Sequence, residues 1–410
     1  MSIDIVLRNA RLRGWSEALV NISIDGGRIV SVDANSSNIE SRQVVDAAGG
    51  LVTPSFVNPH LHLCKVWTES LVPAAARQAY HNKGMSQSLD AIDLASRMKT
   101  DSRADEIAGR ARRAVALAAL HGNLHIRAFA DVDSKAKLEG VNALLAVREE
   151  FEGIVQLEVV AFPQDGIARD PGTAELMEAA MRCGADIVGG IPWIEASDAE
   201  ARAHIGLCFD LAEKFGKDIS MLLDDVGNAK SKTLEMMARE VVRRGMQGRA
   251  LAHHCRAMAL YDNSYFHQLV VLLEQADVAI VCDPHTGPLH ARVRELLELK
   301  RTICLGQDDI SDAYYPFGRN NMLEIAFLAS HLMWMTSPAD IEALYEMITT
   351  YAAKALKLSG YGLQPGDLAN VVVLNQSTVG EALRWHEQPK AVIGRGKLLD
   401  LGKMRSLAGY

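Results

Sequence analysis

Two histidines stand two residues apart in Asn58-Pro59-His60-Leu61-His62-Leu63-Cys64. On an extended chain, side chains two apart share a face, so His60 and His62 could grip one metal ion. The competing reading is a pair of surface-loop histidines. Other reactive groups are His253-His254, Gly306-Gln307-Asp308-Asp309, Leu222-Leu223-Asp224-Asp225, Pro163-Gln164-Asp165 and Asp283-Pro284-His285. Asp308 could ligate a metal and take a proton from a bound water. An aspartate there could equally cap a helix, and of two adjacent acids one can cap while the other coordinates. Asp224 and Asp225 could shuttle protons or be loop acids. The Gln164 amide could both donate and accept toward a planar polar substrate. Either histidine of the 253–254 pair, taken alone, reads as a satisfied and partly buried residue.

Each of these groups follows a short apolar run. The runs are Leu51–Val57, His125–Ala130, Val155–Phe162, Ile187–Ile191, Asp218–Leu223, Ala250–His254, Val278–Cys282 and Thr302–Leu305. Helical patterns lie between most of them, at Ala104–Leu120, Ala174–Cys183, Asp198–Phe215, Thr233–Arg244 and Tyr265–Gln275. Alternating strand and helix predicts a parallel sheet, and eight strands can close into a (β/α)8 TIM barrel. An open doubly wound sheet is the alternative, weakened by the lack of a G-x-G-x-x-G after an early strand. In a barrel, chemistry gathers at the C-terminal ends of the strands, where these polar groups stand.

The two ends of the chain read differently. Ile3–Leu7 and Ala18–Ile24 alternate, and Asp25-Gly26-Gly27 before Arg28–Val32 is a hairpin signal. Leu368–Asn375 and Lys390–Leu399 repeat that character. Sheet edges need partners, so residues 1–52 and 360–410 are expected to form one discontinuous β-sandwich domain around a barrel of residues 53–359.

Composition narrows the class. The chain has 410 residues, 49% hydrophobic and 23% charged, with a formal net charge of −8. Such apolar mass excludes a disordered chain, and the acidic balance argues against a nucleic-acid partner. No run of 18 or more apolar residues exists, so no membrane span is expected. The first residues carry a charge at position four and no long apolar run, so no signal peptide is expected. Six cysteines without a C-x-x-C fit a reducing cytoplasm.

These blocks together resemble the amidohydrolase superfamily, in particular cytosine deaminase and enzymes acting on N-alkylamino-triazines. The resemblance rests on Leu51–His62, Val159–Ile167, Gly184–Pro192 and Gly306–Asp312, with Tyr315-Pro316-Phe317-Gly318, Asn321-Met322 and Gly366–Asn370. It implies a barrel holding one divalent metal, zinc, iron or manganese. His60 and His62 would be first-strand ligands, and Asp308 ligand and base. His254 would face the activated water or the developing oxyanion. Asp225 falls where the family keeps its acidic proton shuttle, usually Glu, and Gln164 where a glutamine reads the amide edge of the substrate.

The chain also departs from the family. Leu222 stands where a fifth-strand histidine ligand belongs. Arg127-Ala128-Phe129 replaces Arg-Thr-His, Trp193 replaces a histidine, and Cys64 replaces an acid. Three outcomes stay open for the metal. Cys64, His253 or His285 substitutes as ligand; three protein ligands suffice with waters; or the site works without metal. Phe129, Trp193 and Asp283 are expected beside Gln164 at the substrate, in a pocket that favours a ring or an alkyl group. The expected activity is hydrolysis of a C–N bond in a nitrogen heterocycle or cyclic amide. The alternative is a metal-free lyase, isomerase or binding protein. The segment Lys65–Arg97, with Trp67, Tyr80, His81 and Met85, is either a lid or a helix pair packed on a neighbouring subunit. A homo-oligomer acting on a small molecule is expected.

Overall fold

The computed structural model describes residues 3–14, 18–34, 40–72, 92, 93, 96 and 103–409. The alternating N-terminal stretches form β1 (Ile3–Leu12), β2 (Val20–Asp25), β3 (Arg28–Asp33) and β4 (Ser41–Asp46). Asp25 pairs with Arg28, leaving Gly26 and Gly27 as a two-residue turn with φ of 56° and 79°. This double positive φ matches the twist of the flanking strands and is easiest for glycine.

The run 51–57, expected as a single barrel strand, divides at Ser55. β5 (Leu51–Pro54) pairs with β1, whereas β6 (Phe56–Leu61) opens the barrel. The Ser55 amide donates to Asn370 O and the Phe56 amide to Gly122 O, both at 2.9 Å. Both halves are buried, so hydropathy carries no mark at the crossing from one sheet to the other.

The barrel continues through β7 (Asn123–Asp131), β8 (Gln156–Phe162), β9 (Ile187–Gly190), β10 (Asp218–Leu223), β11 (Ala250–His254), β12 (Ala279–Cys282) and β13 (Ile303–Leu305). All are parallel, in sequence order across the sheet. β6 and β7 are buried at every residue, as strands covered on both faces must be. Helices Ala104–Leu120, Asp198–Phe215 and Thr233–Arg244 match their expected limits, and Thr173–Cys183 and Asn263–Ala276 extend theirs slightly. The ring closes just beyond β13: the Asp308 amide donates to His60 O at 2.9 Å, and the His62 amide to Asp308 O at 2.8 Å.

β14 (Val371–Val373), β15 (Ala391–Gly394) and β16 (Lys397–Leu398) return to the terminal sheet, β14 pairing antiparallel with β5. The β15–β16 turn, Arg395-Gly396, again has positive φ of 46° and 76°. A Cβ on Gly396 would lie 2.5 Å from the Gly27 Cα, so the hairpin turns from the two ends of the chain abut. Among the described residues no helix is long and apolar enough to cross a membrane. Of the segment 65–97, residues 73–91, 94, 95 and 97 lie outside the described residues, including Tyr80, His81 and Met85.

Candidate active site

The closing seam of the barrel carries the densest group of reactive side chains. Asp308 Oδ1 lies 3.0 Å from His60 Nε2, 3.7 Å from His62 Nε2 and 3.9 Å from His254 Nε2. Two backbone features bring them together. His254 and Asp308 sit at φ of 64° and 63°, left-handed values that are costly for side chains with a Cβ. The twist at His254 turns its ring to the cavity, while His253 stays below. Gly306 lets β13 pass close to β12 and β6, because a Cβ there would lie 2.3 Å from Asp283 Oδ1 and 2.7 Å from the His60 Cβ.

These residues form two overlapping groups with metal-ligand spacing. His60, His254, Asp283 and Asp308 offer one ligand atom each within 4.8 Å of one another, and His62, Asp308 and Asp309 do likewise. The H-x-H pair is thus divided between two groups that share Asp308. A zinc-sized ion with ligands at about 2.1 Å holds any two ligand atoms no more than roughly 4.2 Å apart. Each of the three imidazole nitrogens meets that limit with Asp308 Oδ1, but only His60 and His254 also share a group with each other.

Protonation also fits. Burial would raise the Asp308 carboxyl, but His254, His60 and His62 outweigh it and hold the group well below the ordinary carboxylate range. Burial pushes His62 well below its ordinary value, with Lys65 and His60 adding to the effect. Burial likewise lowers His254 to about 4 against the pull of Asp225 and Asp308. Near neutral pH His62 and His254 are therefore neutral and Asp308 is ionised, the forms that bind a cation.

Neither metal-spaced group contains any of the three proposed substitute ligands. Cys64 packs with Ile107 and Ala143, and its thiol faces Asp131 at 3.6 Å. His253 Nδ1 lies 2.7 Å from His60 Nδ1, on the far side of that ring from Asp308. His285 Nε2 donates to Gln307 O at 2.9 Å. The residue that joins the group is His254, whose Nδ1 lies 3.3 Å from Asp283 Oδ2.

Above the cluster lies a cavity with both polar and apolar lining. His62, Lys65, Gln164, Asp225, His254, Arg256, Thr286, Asp308 and Asp309 form the polar wall, and Ile92, Ile191, Trp193, Leu222 and Tyr314 the other. Trp193 and Gln164 stand where a substrate would be touched. Phe129 and Asp283, expected there too, do not border the cavity. Phe129 lies under the histidines, its ring centroid 4.4 Å from that of His60, and the Asp283 side chain is sealed behind His254. Burial pushes the Asp283 carboxyl up to about 7, with Asp308 adding to the rise against His60. Leu222 joins Phe129, Phe162 and Ile191 in one apolar cluster.

An amidohydrolase family model matches residues 43–399. The chain belongs to the amidohydrolase family. The N-isopropylammelide isopropyl amidohydrolase of Pseudomonas sp. (strain ADP) is 27% identical over 400 residues, 97% of each chain. A 5-methylcytosine deaminase structure from Klebsiella pneumoniae, liganded with phosphonocytosine, has a TM-score of 0.88 at 30% identity, covering 96% of this chain and 97% of its own. An N-isopropylammelide isopropylaminohydrolase structure from Burkholderia multivorans ATCC 17616 has a TM-score of 0.85 at 25% identity, covering 97% and 98%.

Sequence reasoning missed three polar residues of this amidohydrolase. Arg256 donates to Asp225 Oδ1 and to Thr286 Oγ1, each at 2.5 Å. The Thr286 hydroxyl donates to Asp308 Oδ2 at 2.6 Å. Lys65 donates to Gln164 Oε1 at 2.5 Å. Arg256 and Thr286 stand two and four residues past their strand ends, and Lys65 three past His62. A search of strand-end loops for charged and hydroxyl residues would have found them.

Proposed function

We propose that this amidohydrolase hydrolyses a carbon–nitrogen bond of a nitrogen heterocycle, releasing ammonia or an amine. The observation that carries the reading is the convergence of three imidazole nitrogens on Asp308 Oδ1 at the floor of a half-apolar cavity. The end-to-end likeness to an ammelide amidohydrolase and a 5-methylcytosine deaminase supports the substrate class.

His60, His254 and Asp308 would hold one zinc, iron or manganese ion, with His62 beside them in the second group that shares Asp308. Such an ion supplies Lewis-acid polarisation of the attacking water when bound. The remaining chemistry is that of the chain. Asp308 is ionised and held at Oδ2 by Thr286, so it can take the proton of the attacking water. The water oxygen bonds to the ring carbon that bears the leaving nitrogen. Asp225, fixed by Arg256 and 3.9 Å from His254 Nε2, relays a proton to that nitrogen as the C–N bond breaks. Trp193, Ile191 and Leu222 cover the ring and keep water from its face.

The test is a screen of aminopyrimidines, aminotriazines and cyclic ureas for ammonia or amine release, with Asp308→Asn as control. Release by wild type that disappears in the variant is expected. A variant near the wild-type rate overturns the reading.

A further inference from the structure

Behind the cavity wall lies a carboxylate whose side chain is completely enclosed, that of Glu195 in the loop after β9. Its Oε1 accepts from the Ile167 amide at 2.7 Å and the Ala168 amide at 3.2 Å. Its Oε2 accepts from the Arg169 amide at 3.2 Å. These three successive amides belong to the neighbouring loop, the one that follows β8 and carries Gln164. Gly166 makes the approach possible: its φ is 91°, and a Cβ there would lie 3.1 Å from Glu195 Oε1.

His204 holds Glu195 from the other side. It stands on the helix Asp198–Phe215, and its side chain is also fully enclosed. The Ile191 amide donates to its Nε2 at 3.0 Å, so that nitrogen carries no proton. The proton of the neutral ring is therefore on Nδ1, which donates to Glu195 Oε1 at 2.7 Å. Burial would raise the Glu195 carboxyl, but His204 and the Ile167 amide outweigh it and hold the group below its ordinary value. Burial lowers His204 against the pull of Glu195. Between Ile191 and Glu195 lies a single turn, Pro192-Trp193-Ile194. His204 grips that turn at both ends, while Glu195 reaches across to the next loop. An enclosed carboxylate is costly unless its lone pairs are filled, and here four N–H groups fill them.

Both gripped loops form cavity wall. Gln164 comes from one, Ile191 and Trp193 from the other, whereas neither Glu195 nor His204 lines the cavity. We propose that Glu195 and His204 are positioning residues, a buried clasp that locks the two loops into one unit and so sets how tightly the pocket holds its ring. The inference rests on the heterocycle reading above and deepens it. A wall held in place beforehand costs a ligand less ordering on binding. The five hydrogen bonds of the clasp end on loop backbone or within the pair itself, and none on Asp308 or its histidines. The clasp therefore acts on ring binding rather than on water activation.

Two variants of the holoenzyme test this. Glu195→Gln keeps the shape but turns one accepting oxygen into a donor that faces N–H groups. His204→Phe keeps a ring and removes both of its hydrogen bonds. Each is expected to raise KM about tenfold or more on the best ring of the screen, with kcat within about threefold and metal content unchanged. Backbone hydrogen exchange is the second readout and needs no ligand. His204→Phe directly removes bonds only to Ile191 and Glu195, yet exchange at residues 167–169 is expected to speed about tenfold or more, because Glu195 loses the donor that holds it. A merely local packing role would confine the change to residues 191–195. Such confinement, or a KM within about twofold of wild type in both variants, overturns the inference. Should His204→Phe fail to fold, Glu195→Gln decides by the same two readouts, with Ile191 as the distant amide. A wild type that turns over no ring overturns the hydrolase reading, and exchange alone then decides the clasp.

Discussion

Replacing Thr286 with valine removes one hydroxyl and keeps the side-chain shape. That hydroxyl accepts from Arg256 at 2.5 Å and donates to Asp308 Oδ2 at 2.6 Å. Arg256 is not orphaned by the change, because it still binds Asp225 and Asp283 O. Asp308, in contrast, loses the donor that steadies its second oxygen while the first faces the histidines. A hydrogen bond to a charged group contributes about 1.5–3 kcal/mol net. Expressed wholly in the transition state, that predicts a loss of roughly 10- to 150-fold in kcat/KM. The assay is steady-state ammonia or amine release on the best ring from the screen, with metal content and thermal unfolding measured on the same preparations. Thr286→Ser, which retains the hydroxyl, should stay within a few-fold of wild type. A Thr286→Val enzyme within twofold of wild type, with its metal retained, would falsify the view that Thr286 orients Asp308.

Protein purified without added metal should carry close to one divalent ion per chain by elemental analysis; His60→Ala and His254→Ala should each lower that occupancy, and unchanged occupancy in both would refute the ligand assignment. Gly306→Ala forces a Cβ to 2.3 Å from Asp283 Oδ1; overpacking on this scale costs about 1–3 kcal/mol or more, seen as a lower urea midpoint. Acid should destabilise the fold through His121 and His125, each lowered to about 4 from 6.5, chiefly by burial. Because the unfolded chain protonates first, stability is full above about pH 6.5 and falls as pH drops toward 4, by up to about 3 kcal/mol per histidine. Equal urea midpoints at pH 7.5 and 5 would contradict this.

The barrel was readable because its strands are short apolar runs at regular intervals, separated by amphipathic helices whose limits the structure reproduces within two residues. The crossing at Ser55 was not, since both sides of it are buried and apolar. Candidate ligands were readable as strand-end residues. Their pairing was not, because it depends on how barrel curvature brings distant loops together: Lys65 and Gln164 are 99 positions apart, Arg256 and Asp225 31. Leu222 marked a departure from the family pattern, whereas the left-handed backbone at His254, which sequence does not announce, sets where that ring stands.

The seam where Asp308 meets His60 and His62 joins positions 248 residues apart, at the two ends of the barrel's own sequence. A chain emerging from the ribosome holds both histidines long before it holds their carboxylate partner. The complete His60–His62–Asp308 cluster therefore cannot exist on any nascent barrel shorter than its eighth strand. Cation capture would report that the last strand has docked, and a chain halted before Asp308 would carry the histidine pair without the means to assemble the site.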